Sequence, residues 1–202
     1  MDAGEAVKKR PYKMKARAAA AEETKVRILE ASESVGDELQ FDEITLAKIA
    51  KRAGVSVQTV IRHFGSKERL FLATLVYVGG KMEGDRDVEP GAAAEEIVGI
   101  LFDHYERFGH RILRMLAQED RIPTVRFLVD IGRGYHVDWC KQAFGPSLKG
   151  LRGARRERRL AQFTALTDIY TWKVLRQDRG LDLPATKLAV VEMLEPLMVR
   201  AE

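Results

Sequence analysis

The segment "AGVSVQTVIRHFGSKE", residues 53–68, concentrates side chains suited to a polyanion. Gln58 carries an amide that can pair with adenine N6 and N7. Arg62 can grip guanine or phosphate, and Val57 and Ile61 can touch a thymine methyl. On a helix, positions 57, 58, 61 and 62 share one side. A helix with a purely structural role has little reason to expose two β-branched aliphatics beside Gln and Arg. A helix lying in a DNA major groove has one.

Other chemistry is thinly represented. His104, His110 and His136 are scattered, and no HExxH or other tight ligand pattern accompanies them. The single cysteine, Cys140, excludes an intramolecular disulfide and a Cys-rich zinc site. It reads as a small buried hydrophobe rather than a redox sensor. There is no nucleophile elbow and no phosphate-binding glycine loop. No catalytic residue, metal or cofactor is therefore expected, and an enzyme is the remote reading. The basic run "RGARRERRL", residues 152–160, reads as a solvated loop and helix start.

The elements that must position residues 53–68 are helical throughout, and no convincing alternating strand occurs. A first helix is expected over about residues 18–35, ended by Gly36-Asp37. Thr45 is a plausible N-cap for a second, with Leu46, Ile49 and Ala50 on one face. Gly54 stops it where the chain must reverse, because glycine tolerates positive φ. Ser56 caps a third helix ending near Phe64, with Val55, Val60 and Phe64 turned inward. These are the requirements of a helix-turn-helix. Ser66 caps a fourth helix that ends near Gly79-Gly80.

The polar stretch "KMEGDRDVEPG" links this unit to longer helices. One stripe runs through Ala94, Ile97, Leu101, Phe102, Tyr105 and Phe108, and a shorter helix holds Ile112, Leu113 and Leu116. Another helix begins near Pro123 and stops at Gly145-Pro146. One more is expected over about residues 154–179, and a last one starts with Pro184 in its first turn. The fold class is thus all-α. A basic flexible arm (1–20) precedes a helix-turn-helix domain (21–69) and a larger helical body (70–202).

The 202 residues and 46% apolar content allow a substantial core. No apolar run approaches the roughly 20 residues that span a bilayer, so no membrane partner is expected and the cytoplasm is the simplest location. The net charge of +4 is unevenly placed. Residues 1–20 hold six cations against two carboxylates, and residues 45–69 six against one. Residues 21–44 hold eight carboxylates against two cations. Two basic patches flanking an acidic stretch suit a polyanion-binding surface, and a solvated surface could carry the same pattern.

"TLAKIAKRAGVSVQTVIRHFGSKERLF" resembles the DNA-binding segment of the TetR family of transcriptional regulators. The matching features are Ile49-Ala50, Ala53-Gly54-Val55-Ser56, Thr59, His63-Phe64 and Ser66-Lys67-Glu68. The resemblance extends from "TKVRILEAS" to about Leu75. One departure is Ile61, where the family commonly has Tyr; isoleucine offers apolar contact alone. The resemblance implies phosphate contacts at Thr45, Thr59, His63 and Lys67, with Val57, Gln58, Ile61 and Arg62 facing bases. For the basic arm two readings stand, contact with DNA and a solvated tail.

In the body, Phe102, Tyr105, Met115, Phe127, Tyr135, Trp139 and Phe163 either fill a core or line a cavity for a small apolar or aromatic effector. In TetR-like proteins such a ligand often relieves repression. Leu160, Phe163, Thr167, Tyr170 and Val174 form one stripe, while Leu166, Ile169 and Trp172 point in other directions. Helices apolar on several sides need burial on several sides. Pairing with a second copy would supply it, as the resemblance implies. The expected function is a homodimeric repressor that binds a palindromic operator in double-stranded DNA and is released by a ligand. The alternative is a DNA-binding regulator controlled by a protein partner or by abundance.

Overall fold

A computed structural model describes residues 9–83 and 86–198, all helices, turns and irregular segments with no strand among them. The chain divides into two compact units, one ending at Val78 and the other beginning at Gly79.

The first unit is built from α1 (Lys9–Glu38), α2 (Leu46–Ala53), α3 (Val57–Phe64) and α4 (Lys67–Glu83), which continues past Val78. α1 is longer than the periodicity predicts and takes in much of the segment read as an arm; residues 1–8 lie outside the described residues. Most of α4 belongs with this unit, so the boundary falls later than residue 69. Its core joins Ile28, Leu29 and Val35 of α1 to Ile44, to Ile49 and Ala50 of α2, to Val60 and Phe64 of α3 and to Leu70 of α4. Each fully buried aliphatic here contributes about 1.5–3 kcal/mol by leaving water.

The second unit contains α5 (Ala94–Leu116), α6 (Pro123–Ala143), α7 (Gly145–Leu148), α8 (Gly153–Leu166), α9 (Ile169–Lys173), a π-helical turn (Val174–Asp178) and α10 (Leu183–Met198). Ile97, Leu101 and Phe102 of α5 meet Cys140 of α6, Phe163 of α8, Trp172 of α9 and Leu194 of α10 in its core. Phe144 stacks on Phe163 at a centroid distance of 4.1 Å and an interplanar angle of 6°. Gly109 passes so close to Trp172 that a Cβ there would lie 2.7 Å from the indole.

In the second unit two expectations differ. The stripe from Ala94 and the short helix at Ile112 are one continuous helix, α5. The long helix expected over residues 154–179 is broken at Thr167-Asp168. The Thr167 carbonyl accepts from the Tyr105 hydroxyl at 2.9 Å, so it is taken from the helical ladder. Asp168 then caps α9 by accepting from the Tyr170 N–H at 2.9 Å.

Candidate nucleic-acid interface

α2 and α3 are each eight residues long, and their ends are fixed by local chemistry. Thr45 is extended at φ −121°, and its hydroxyl oxygen accepts from the Lys48 N–H at 3.3 Å. Gly54 is left-handed at φ 66° and closes α2 by donating to the carbonyls of Ala50 and Lys51. A side chain at that φ would be strained, although no atom crowds the position. Ser56 caps α3 by accepting from the Thr59 N–H at 3.1 Å. Gly65, at φ 80°, ends α3 with its N–H on the Ile61 carbonyl at 2.8 Å.

This turn sorts α3 into two faces. Val60 and Phe64 are buried, whereas Val57, Gln58, Ile61 and Arg62 are exposed together. Val57 and Ile61 show 38% and 39% of their surface, a large share for β-branched aliphatics. The outer face therefore presents an amide, a guanidinium and two methyl-bearing groups along one line, the set needed to read base edges in a major groove.

The phosphate candidates surround that face in different states. Thr45 is exposed, and its hydroxyl hydrogen is not needed for the cap. Thr59 is half-buried and shares a 2.9 Å hydroxyl contact with Ser56, which leaves one of the pair's two hydroxyl hydrogens for an outside acceptor. His63 is half-buried, its ring tilted against Phe64 at 6.2 Å. Lys67 is half-buried and donates to the Phe41 carbonyl at 2.6 Å. The N-termini of α2, α3 and α4 add partial positive charge.

Not every cation of the patch is free to meet DNA. Arg52 donates from both terminal nitrogens to Glu38, at 2.9 and 2.8 Å, and to Ser34 at 2.5 Å. Its hydrogen bond to Glu38 holds that carboxyl below the usual range. Lys48 donates to the Glu43 carbonyl at 2.9 Å. Both ties stabilise α2 against its neighbours, and sequence counting alone does not reveal them.

The seven aromatic and Met candidates of the body fall into separate places. Phe102, Tyr105 and Phe163 are buried in one core, and Trp139 packs against it. Met115 is half-buried near the end of α5. Phe127 and Tyr135 stand exposed on α6, at 56% and 63%. An open depression of about 730 Å³ near Pro146, Leu148, Leu151 and Arg156 is lined by none of the seven. Arg152, Arg155, Arg156 and Arg158 of the basic run are exposed, and Arg159 donates to the Leu197 carbonyl.

The sequence reading gave the connection at Arg86 no role. Arg86 Nη2 meets His136 Nδ1 at 3.2 Å, and His136 Nε2 meets Thr167 Oγ1 at 3.2 Å. Thr167 Oγ1 donates in turn to the Phe163 carbonyl at 2.8 Å. An arginine can only donate, so these partners assign the neutral imidazole proton to Nε2.

A helical protein with an exposed eight-residue helix set beyond a left-handed glycine turn is of the helix-turn-helix DNA-binding class. Residues 28–74 match the family of bacterial regulatory proteins, tetR family, so the first unit carries a TetR-type DNA-binding domain. Solved structures share the fold. A tetR-family transcriptional regulator from Streptomyces coelicolor superposes with a TM-score of 0.62 at 18% identity, over 86% of this chain and 80% of that one. A TetR transcriptional regulator from Rhodococcus sp. RHA1 gives 0.53 at 18% identity, over 87% and 97%. No curated protein matches the chain. Among the described residues, no helix is long and apolar enough to cross a membrane.

Proposed function

We propose that this chain is a homodimeric transcriptional repressor that reads a palindromic operator with α3 and is released by a small molecule taken up in the second unit. The observation that carries the reading is the exposure of Val57, Gln58, Ile61 and Arg62 on a helix whose opposite face, Val60 and Phe64, is buried. Phosphates are held by Thr45, Thr59, His63 and Lys67 around it.

Dimerisation is supported by apolar side chains left outside the core. Tyr170, Val174, Leu188 and Met193 expose 48%, 47%, 58% and 40% of their surfaces. Pairing two copies of α9, its π turn and α10 would bury them. Phe163 has no part in that surface, because it is fully buried within its own chain. Leu188→Glu is expected to yield a monomer of 22.8 kDa in sedimentation, with an intact fold and weakened operator binding. A dimer unaffected by Leu188→Glu and Tyr170→Glu would place the interface elsewhere.

Selection of bound genomic DNA, followed by footprinting, tests the whole reading. Two half-sites one helical turn apart, roughly 34–36 Å, or a multiple of that are expected. Full affinity for an asymmetric site by a monomer would reject it. The dense packing of Phe102, Tyr105 and Phe163 favours a second reading, control by a protein partner or abundance without a small effector. Release of DNA by a ligand that also raises the melting temperature decides for the first.

A further inference from the structure

In the second unit the half-buried Arg86 has no carboxylate partner among the described residues. Arg86 stands in the connection before α5, and its Cζ lies 5.0 Å from the centroid of the Trp139 ring. Its backbone carbonyl accepts from Trp139 Nε1 at 2.8 Å, so one indole holds both ends of the residue. Arg86 Nε is shut off from solvent and has no acceptor among the described residues. His104 Nδ1 is in the same condition. Three acids of the same unit are engaged with other groups. Asp103 pairs with Lys187 at 2.7 Å, and Glu106 accepts from Trp172 and Arg176 at 2.8 and 3.0 Å. Asp168 Oδ1 accepts from the Tyr170 N–H.

The two histidines do not supply the missing anion, nor do they add charge. Burial first, and then the cation Arg86, hold His104 and His136 well below the ordinary imidazole value. Arg107 and Arg111 also act on His104. A guanidinium with a solvent-shielded, unused N–H is costly unless an acceptor arrives to meet it.

We infer that Arg86 anchors a monoanionic carboxylate carried on an apolar body, bound against Trp139 with His136 and His104 at its edge. The inference rests on the proposal that the second unit takes a small ligand, and it names that ligand's chemistry. A guanidinium presents coplanar donors that match the two oxygens of a carboxylate. One cation calls for one negative charge, which disfavours phosphate dianions. The half-buried indole of Trp139, stacked with His136 at 15°, offers a flat face to an apolar body.

The test uses the full-length protein with benzoate and phenylacetate, each against its neutral amide, in thermal melts and on operator-bound protein. The acids are expected to raise the melting temperature at concentrations about tenfold or more below those the amides need. Arg86→Gln should remove that difference, and Arg155→Gln, on the exposed start of α8, should keep it. If Arg86→Gln does not melt cooperatively, Arg86→Lys, which keeps the charge and loses the fork, takes its place beside the wild-type comparison of acid and amide. Equal binding of acids and amides, or undiminished acid binding by Arg86→Gln, overturns the inference. If neutral compounds alone stabilise the protein and release DNA, the ligand-controlled repressor stands and the anion site falls. If neither class binds, both fall.

Discussion

Lys67 Nζ donates to the carbonyl of Phe41 at 2.6 Å and lies 4.2 Å from the centroid of the same residue's ring. The ammonium thus pins the loop between α1 and α2 to the start of α4. Burial lowers its pKa, with Glu68 and Asp42 acting in the opposite direction. One of its three hydrogens is committed to Phe41, and two remain for a phosphate. Lys67→Ala is expected to cost about 1–2 kcal/mol of stability in urea melts, since it removes both a charged hydrogen bond and a cation–π contact. It should also weaken binding to all DNA sequences and reduce the salt slope by about one. A stability loss with an unchanged slope would make the residue a structural tie only.

Gln58→Ala should behave differently, because Gln58 is exposed and lies on the outer face of α3. The expected loss is about 1–3 kcal/mol on the operator, confined to one or two base pairs, with little change on unrelated DNA. Ile61→Tyr should alter sequence preference by adding a hydroxyl where the groove meets methyl groups. Binding across a base-substituted operator panel measures both, and a uniform loss on every sequence contradicts a reading role.

Gly109→Ala is expected to destabilise the second unit by about 1–3 kcal/mol, the usual range for an overpacked core. The new methyl would fall 2.7 and 2.8 Å from two carbons of Trp172, which is 2% exposed and cannot easily move. Chemical denaturation gives the loss, and the indole fluorescence reports whether Trp172 is displaced. Wild-type stability in this variant would mean that α5 and α9 slide apart at little cost.

Acid should weaken the fold well above the carboxylate range. Burial, together with Arg86, Arg107 and Arg111, lowers His104 to about 3. Burial and Arg86 lower His136 to about 4, with Asp168 opposing. An unfolded chain takes up these protons from about pH 6.5 downward, while the folded chain refuses them until about 4 and 3. The stabilisation is complete above about pH 6.5 and is lost as the pH falls. The slope between pH 6 and 5 approaches roughly 2–3 kcal/mol per unit for the two histidines together. Urea midpoints at pH 7, 6 and 5 test this, and His104→Phe should reduce the slope by about half. Identical midpoints at pH 7 and 5 would show that the rings are not held neutral.

The DNA-binding unit was readable because its punctuation is local. Thr45, Gly54 and Ser56 act within their own turns, and the spacing of Val60 and Phe64 sets the buried face without help from distant residues. The fate of the cations was not readable, since Arg52 meets Glu38 and Lys67 meets Phe41 across the fold. The helix break at Thr167 depends on a hydroxyl from Tyr105, 62 positions away, and periodicity carries no trace of it. The aromatic set of the body failed to separate by type. Phe102 is fully buried and Phe127 is 56% exposed, a difference decided by which side of each helix meets a neighbour. Arg86 left no signal, because a half-buried arginine in a polar connection looks like any solvated one.

The hydrogen-bond line from Arg86 through His136 and Thr167 to Phe163 has a sense of direction. An arginine cannot accept and a carbonyl cannot donate, so both termini dictate the order of everything between them. A ring of hydroxyls has two equivalent arrangements; this line has one. Its bond dipoles add head to tail, and each member polarises the next. A proton placed on His136 Nδ1 would set N–H against N–H at Arg86. The imidazole is thereby a barrier to positive charge rather than a relay, and the middle of the second unit is electrically one-way.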